Sequence, residues 1–419
     1  MAACLRPLTE SAVRTPRLLV ICVLLLLSAI LFRWQCNTSP SNWTSHSGYQ
    51  SNHQLPCLIQ RVLSDRGANL LHSWTDDELF QRSITASMSF EKKFTSGKMN
   101  DSSLDKILAP ANSAVPNAKN SALLQNIQDY IQADRIDCLE LTESGRGKPK
   151  LAFLFLTTNS KLPFASLWNL FFKGNENLYS IYIHSDPLLL NQQNRNIGAF
   201  WGRFIPSGQT QHGTASLIQA TRRLFANALL DDPLNEYFAL VSEHCIPLYS
   251  FKYIYSKITA SNQSFLQMDN NWPYLQSRYD VRGKDAMLPE VPFSEFRMGS
   301  QFFVLMKKHA LMFVKDHKYW NKFKLPCFDV GACYPEEHYF PTMLHMEDPK
   351  GSTGYTLTYI NWNEAQYGPH PKSYKREEIN LALIASFRSK ESGRFLFARK
   401  FDDDCLPELL NLASVIFGR

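Results

Sequence analysis

The segment Lys150-Leu151-Ala152-Phe153-Leu154-Phe155-Leu156-Thr157 is a continuous apolar run of strand length that follows a glycine and a proline. A run of this length without alternating polar residues is typical of a β-strand buried on both faces. Two similar segments follow it, Ser180-Ile181-Tyr182-Ile183-His184 and Tyr237-Phe238-Ala239-Leu240-Val241-Ser242. These three segments predict the central strands of one sheet.

Helical patterns separate the predicted strands. Residues 164–172 and 216–230 carry apolar side chains at helical spacing, and Asp231-Asp232-Pro233 stops the second helix. The later predicted elements are a strand over 300–306, a helix over 307–316 and a strand over 356–362. Alternating strands and helices predict an α/β fold, with a mostly parallel, doubly wound, Rossmann-type sheet and ligands at the carboxyl ends of its strands. No GxGxxG or P-loop follows the first strand, so dinucleotide-binding and ATP-hydrolysing functions lose support.

The amino terminus predicts a membrane anchor. Arg6, Arg14 and Arg17 precede an uncharged apolar run, which Trp34 extends at the membrane interface, so residues 18–34 are predicted to span the bilayer. A cleaved signal peptide is the alternative, but no small-x-small cleavage site follows the run. The arginines place residues 1–17 in the cytoplasm and the rest in a secretory lumen, a type II arrangement.

Residues 35–149 are rich in Ser, Asn, Gln and Thr with a few apolar islands, which predicts a lumenal stem with short helices. Residues 150–419 form the predicted catalytic domain. Sequons begin at Asn42, Asn100 and Asn262, which are predicted glycosylation sites, and at Asn37, which lies too near the membrane.

Seven cysteines lie beyond the predicted anchor and are scattered rather than paired in CxxC clusters, so disulfides are favoured over a zinc site. Cys327 and Cys333 are near enough in sequence to bridge, although the pairing stays open. The odd number leaves at least one cysteine unpaired within the chain.

The composition of the 419 residues, 44% hydrophobic and 13% aromatic, is sufficient for one large core or two modest ones. The net charge of +6 is dispersed without a long basic run, so nucleic-acid binding is not expected.

The segment Cys333-Tyr334-Pro335-Glu336-Glu337-His338-Tyr339-Phe340-Pro341-Thr342 carries the strongest catalytic signal. Pro335 suits the first helical position, so Glu336 and Glu337 fall in the first turn, where unpaired amides and the helix dipole favour carboxylates. Pro341 is expected to end or kink this helix, keeping it short. Ordinary helix capping is the alternative explanation for the two acids.

Polar residues at the predicted strand ends are the other candidates. Asp186 follows the second strand, where it can also be a simple turn residue before Pro187. Glu243 and His244 follow the third strand, and a structural histidine is the favoured explanation for His244. The Asp402-Asp403-Asp404 run lies after the last predicted strand and is interpreted as an exposed acidic turn, not a metal site.

These motifs together resemble the plant branch of the core-2/I-branching β-1,6-N-acetylglucosaminyltransferase-like proteins, related to glycosyltransferase family 14. The similar stretches are residues 152–158, 178–186, 222–230, 242–248, 287–301, 333–344, 368–371 and 395–401. The resemblance implies a Golgi type II enzyme with a GT-A-like domain. Such an enzyme transfers a sugar from a nucleotide donor, here expected to be a UDP-sugar, with inversion and without a divalent metal or other cofactor.

The resemblance also implies roles for single residues. Glu337 matches the catalytic base, Lys400 and Arg399 match cations that neutralise the diphosphate, and Asp186 matches a residue near the nucleoside. Lys372, which follows His370, is the nearest equivalent of a second cation that binds the diphosphate. Further cleft candidates are His370, the segment Arg297, Gly299 and Ser300, and Glu243 and Glu336. An exposed basic pair remains the alternative for Arg399 and Lys400.

Three positions depart from the plant pattern. His212 and Thr214 stand in a segment that is usually Trp-Gly-x-x-Ser, and Phe296 stands where tryptophan is common. Two functions therefore stay open: a Golgi glycosyltransferase acting on cell-wall polysaccharide or glycoprotein glycans, and a noncatalytic Golgi membrane protein that binds or scaffolds other transferases. The donor sugar, acceptor, linkage and oligomeric state are not predicted.

Overall fold

The computed structural model describes residues 74–96, 147–158, 160–189, 198–363 and 370–418. The predicted anchor at residues 18–34, most of the predicted stem, and the sequons at Asn42 and Asn100 lie outside these ranges. Among the helices of the described ranges, none is both long enough and apolar enough to cross a bilayer.

Three parallel strands form one half of the main sheet: β1 (Lys150–Thr157), β2 (Tyr179–Ser185) and β3 (Asn235–Ser242). β1 lies between the other two, so Phe155 is paired with Ile183 on one side and with Val241 on the other. The first three strands predicted from the sequence are confirmed.

The other half of the main sheet is mixed. β6 (Val304–Met306) is antiparallel to both β3 and β5 (Ser264–Gln267), and β7 (Ser352–Gly354) is parallel to β5. The strand order is β2-β1-β3-β6-β5-β7, so the fold is α/β with a mostly parallel central sheet. The strand predicted over 300–306 begins only at Val304, because the carbonyl of Phe302 accepts from the Thr356 hydroxyl (2.6 Å) instead of a neighbouring strand.

A second, three-stranded sheet has the order β4-β9-β8 and brings the end of the chain to the ends of the main strands. Its strands are β4 (Ile246–Pro247), β8 (Thr358–Ile360) and β9 (Phe397–Arg399). β9 is antiparallel to β4, which follows directly on the end of β3. Arg399 and Lys400, which follow Ala398, are thereby placed near the carboxyl end of β3.

The helices cover both faces of the main sheet. They are α1 (Asp76–Ser96), α2 (Ala165–Phe172), α3 (Ala215–Asp231), α4 (Phe251–Thr259), α5 (Leu275–Asp280), α6 (Lys307–Lys315), α7 (Trp320–Phe323), α8 (Glu336–Glu347), α9 (Leu381–Ser389), α10 (Leu406–Asn411) and α11 (Ala413–Phe417). The predictions over 164–172, 216–230 and 307–316 are confirmed as α2, α3 and α6, each within one residue at either end.

Successive side chains of β1 enter two separate hydrophobic cores, as the alternation of a strand requires. Phe153 and Phe155 pack with Trp168 of α2 on one face of the sheet. Leu154 belongs to the other core, together with Phe225 of α3. The strand is therefore buried on both faces, which is why it carries no polar residue between its ends.

The first helix of the described chain, α1, belongs to the core that contains α3. Its residues Leu79 and Phe80 are buried there, with relative exposures of 7% and 1%. Ser83 and Ser87 of the same helix are also buried. This part of the predicted stem is thus packed into the globular unit.

Candidate active site

The carboxyl ends of β1, β2 and β3 form one edge of the sheet, where hydrogen bonds link them. The Thr157 hydroxyl donates to the carbonyl of His184 (3.1 Å), and the Thr158 amide donates to Glu243 Oε1 (3.0 Å). The carboxylate of Asp186 accepts from the amides of Leu188 (2.9 Å) and Thr210 (3.2 Å). Asp186 and Glu243 therefore both lie at the edge where the sequence predicted ligand binding.

Helix α8 presents the two predicted glutamates in its first turn. Pro335 takes the capping position with helical dihedral angles (φ −63°, ψ −26°), and Glu336 begins the helix, one residue later than expected.

The prediction that Pro341 ends this helix and keeps it short is wrong, because α8 continues to Glu347. A proline lacks the amide that would bond the carbonyl four residues earlier, here that of Glu337. The amide of Gly299 donates to that carbonyl instead, at 2.8 Å. The lost intrahelical bond is thus replaced from another segment.

Glu337 is the more accessible of the two acids and is surrounded by positive charge. Its Oε2 lies 3.3 Å from Nη1 of Arg278, and the two side chains are 18% and 12% exposed. Burial raises the pKa of Glu337, whereas the charges of Arg278 and Arg399 lower it. The Arg278 guanidinium lies over the rings of Tyr334 (4.3 Å) and Trp272 (4.7 Å), which hold it beside the carboxylate.

Glu336 is buried, with 3% exposure, and its Oε2 has no hydrogen-bond partner among the described residues. Burial raises the pKa of Glu336 to about 8, and the neighbouring charge of Glu337 acts in the same direction. Because the two adjacent carboxyls have such different surroundings, their pKa values differ. At neutral pH Glu336 is mainly protonated, which leaves Glu337 as the accessible acid of the pair.

Arg399, at the end of β9, is within electrostatic range of both the strand-end acid Glu243 and the base candidate Glu337. Burial lowers the pKa of Arg399, while Cys245, Glu243 and Glu337 act in the opposite direction. Its guanidinium lies over the ring of Phe302 (4.2 Å), and its buried Nε has no hydrogen-bond partner in the described part of the chain. This guanidinium therefore retains one N–H donor without a described protein partner.

Lys400 and two histidines complete the cluster. The ring of His212 lies 5.5 Å from Tyr334 and 5.6 Å from His370. Burial lowers the pKa of His212, and the charges of His370, Arg399 and Lys400 lower it further. Since Tyr334 also contacts the arginine that pairs with Glu337, the basic pair and the base candidate share one neighbourhood.

Other predicted site residues are engaged with different partners. Lys372 pairs with Glu378 (2.8 Å). The Arg297 guanidinium donates to the carbonyl of Ser294 (2.7 Å) and lies 2.6 Å from Nε2 of His345, about two helical turns after Glu337. The Ser300 hydroxyl accepts from the amide of Phe302.

Gly299 has a main-chain role. A Cβ at this position would lie 2.1 Å from the carbonyl oxygen of Gln267, so only glycine allows strand β5 to pass this close. The same residue supplies the amide that bonds Glu337. Phe296, the position where tryptophan is common, stacks on His338 of α8 at 4.6 Å.

The loop before α8 is closed by the disulfide Cys327–Cys333, a pairing that the sequence left open. Among the described cysteines, Cys245 and Cys405 are buried thiols. His244 Nδ1 lies 3.0 Å from the carbonyl oxygen of Phe401, as a structural histidine would.

The acidic run 402–404 is not part of a metal-ligand cluster among the described residues. Asp403 and Asp404 are exposed in a short 3-10 turn, Asp403–Cys405. Within the described ranges, no three His, Cys, Asp or Glu side chains converge as metal ligands.

Arg278 is a site residue that was not predicted from the sequence. It precedes Glu337 by 59 residues and lies in α5, for which no element was predicted. The available signal was a single arginine shortly after two aromatic residues, Trp272 and Tyr274.

Comparison with known proteins gives two matches. The family model described as "Core-2/I-Branching enzyme" matches residues 151–388. The chain is also similar to "Glycosyltransferase BC10" from Oryza sativa subsp. japonica, with 32% identity over 318 residues, which is 64% of this chain and 78% of the rice protein.

Proposed function

Because this chain belongs to the Core-2/I-Branching enzyme family and is a glycosyltransferase, we propose that it transfers a sugar from a nucleotide sugar to a hydroxyl of a glycan acceptor. The reaction inverts the anomeric configuration and requires no divalent metal. The observation that carries this proposal is the meeting of one accessible acid, Glu337, with the cations Arg278 and Arg399 at the carboxyl edge of the sheet.

Glu337 acts as the general base. It accepts the proton of the acceptor hydroxyl while the acceptor oxygen forms a bond to the anomeric carbon. The bond between that carbon and the diphosphate oxygen breaks, and its electron pair leaves with the diphosphate. Direct displacement on one face inverts the configuration. Glu336 is excluded from this role because its side chain is only 3% exposed and does not reach the cleft surface as that of Glu337 does.

Arg399 and Lys400 neutralise the charge that develops on the leaving diphosphate. Fixed cations in a partly buried site stabilise such charge more strongly than they would in water. The Nε of Arg399, which has no hydrogen-bond partner among the described residues, agrees with this role. No described carboxylate forms an ion pair with the Lys400 ammonium, which leaves that charge for a ligand. Asp186 and Glu243 border the nucleoside side of the same edge.

The acceptor lies on the side of Arg278. Tyr274 is 65% exposed there, and its ring is 5.2 Å from that of Trp272, which packs on Arg278. The apolar faces of sugar rings pack well on aromatic rings, which bring large apolar area and a polar edge. The aromatic pair Trp272 and Tyr274 therefore favours a glycan over a small alcohol as acceptor.

We place the protein in the Golgi membrane as a type II protein, anchored by residues 18–34, with its catalytic domain in the lumen. The disulfide Cys327–Cys333 agrees with an oxidising compartment. Asn262 is exposed at the turn before β5, where its sequon can carry a glycan.

The test is nucleotide release by the purified protein with a panel of UDP-sugars and glycan acceptors. With the active pair identified, Glu337→Gln is expected to lower transfer by about 100-fold or more while UDP binding persists. Glu377→Gln, a change at an exposed acid, serves as the control and leaves transfer unchanged. Activity is expected to survive EDTA; restoration of EDTA-sensitive activity by manganese would show that a metal, not Arg399 and Lys400, neutralises the diphosphate.

A further inference from the structure

Helix α1 is fixed to α3 by an ion pair at its first turn. The carboxylate of Asp76 accepts from both Nε and Nη2 of Arg223, the latter at 2.7 Å, and also from the side-chain amide of Gln219. The two charged side chains are only 23% and 20% exposed. A bidentate, partly buried pair of this kind holds both partners in a defined geometry.

The neighbouring arginine supplies a second attachment. Arg222 is 1% exposed and donates to the carbonyls of Phe313 (3.0 Å) and Asp316. The same guanidinium lies 4.7 Å from the ring of Phe80 in α1. Two consecutive arginines of α3 thus hold the first turns of α1, so Asp76 has a fixed position.

On its other side Arg223 packs directly against the main chain of Gly208. A Cβ on Gly208 would lie 2.0 Å from Nη1 of Arg223, so no side chain separates the guanidinium from this backbone. The amide of Gly208 in turn donates to Nε2 of His184 in β2, at 3.3 Å. The ion pair therefore supports the chain segment that follows Ser207.

That segment, residues 207–210, holds the end of β2. The Ser207 hydroxyl accepts from the amide of Ser185 (3.2 Å), and the Thr210 amide donates to Oδ2 of Asp186 (3.2 Å). A cavity of about 210 Å³ lies beside it, lined among others by Trp74, Ser207 and Arg223. The cavity gives the segment room to shift if Arg223 is released.

We propose that Asp76 is a positioning residue for the nucleotide-sugar donor. Through Arg223 and Gly208 it fixes residues 207–210, and these fix Asp186 beside the nucleoside. This inference rests on the proposed function, because it takes Asp186 as part of the donor site. It assigns a part in donor binding to a residue that precedes the family match at 151–388 and lies in the predicted stem.

The experiment measures UDP affinity of the full-length protein, together with KM for donor and acceptor and kcat. Asp76→Asn is expected to raise the Kd for UDP and the donor KM by about tenfold, with kcat and the acceptor KM little changed. Asp77→Asn, at the exposed neighbouring acid, is expected to change none of these values.

The Asp186→Ala variant distinguishes a failure of the Asp76 inference from a failure of the donor-site assignment. If Asp186→Ala weakens UDP binding but Asp76→Asn does not, the positioning role of Asp76 is wrong and the proposed function stands. If neither substitution affects UDP binding, the assignment of Asp186 to the donor site fails and the role of Asp76 fails with it. A loss of kcat equal to the loss of kcat/KM in Asp76→Asn would also overturn the inference, because it would indicate general damage to the fold.

Discussion

Replacing Glu336 by glutamine is expected to change how the stability of the protein depends on pH. Burial raises the pKa of the Glu336 carboxyl from its ordinary value of 4.5 to about 8 in the folded protein. The folded state therefore keeps a proton that the unfolded state releases, so raising the pH favours unfolding. The penalty is absent below the unfolded pKa, grows between the two values and is constant above pH 8.

The size of the effect follows from the two pKa values. Where the folded protein holds one proton more, the free energy of unfolding falls by about 1.4 kcal/mol for each pH unit. From pH 5.5 to pH 7.5 the wild-type protein is expected to lose roughly 2 to 3 kcal/mol that the Glu336→Gln protein keeps. Glutamine also places an amide where Oε2 has no partner among the residues that the structure describes, at a cost of about 1 to 3 kcal/mol that does not change with pH.

The assay is denaturant unfolding of both proteins across this pH range, and the quantity of interest is the pH dependence of their difference in stability. Glu377→Gln, at an exposed site, controls for the loss of one carboxyl and is expected to follow the wild type. Parallel curves for the wild type and Glu336→Gln from pH 5.5 to 7.5 would show that Glu336 is ionised in the folded protein, contrary to this prediction.

Three further substitutions test the site and the core. Arg278→Met removes a charge that lowers the pKa of Glu337, so the acidic limb of the pH–rate profile is expected to move up by about one pH unit. Gly299→Ala places a Cβ 2.1 Å from a main-chain oxygen and is expected to cost about 3 kcal/mol in unfolding experiments. Phe80→Ala empties a buried site in α1 and is expected to cost about 3 to 5 kcal/mol, measured in the same way.

Each of these has a matched control. Arg297→Met removes a guanidinium that contacts His345 rather than Glu337, and the pH–rate profile should keep its acidic limb. In Gly174→Ala the added Cβ has no described atom within 4 Å, so the substitution adds only backbone strain and should lower stability by about 1 kcal/mol. Met88→Ala, at 43% exposure, should change stability by less than about 0.5 kcal/mol. Equal losses from Phe80→Ala and Met88→Ala would argue against the packing of α1 into the core.

The central strands and their helices were predictable because burial on both faces leaves an uninterrupted apolar run, as in residues 150–157. The direction of β6 was not predictable, since a strand of three residues carries no pattern that distinguishes parallel from antiparallel pairing. Helix α1 was missed because part of its buried face consists of Ser83 and Ser87, which weaken the apolar period.

The candidate site was predictable as far as local sequence carries chemistry. Glu336 and Glu337 stand out because a proline and two acids mark a helix start. Which of the two is accessible depends on burial, and the partner of Glu337 is an arginine 59 residues away. Neither can be read from neighbouring residues. The length of α8 was wrongly predicted because the donor that replaces the bond lost at Pro341 comes from a distant glycine.

The bond from the Gly299 amide to the Glu337 carbonyl anchors the first turn of α8 through the main chain. Because it joins two main-chain groups, no particular side chain around the cleft is needed to form it. Gly299 itself is the exception, since a Cβ there would lie 2.1 Å from the carbonyl oxygen of Gln267. The anchor of α8 is therefore expected to tolerate substitutions in the cleft but not at this glycine.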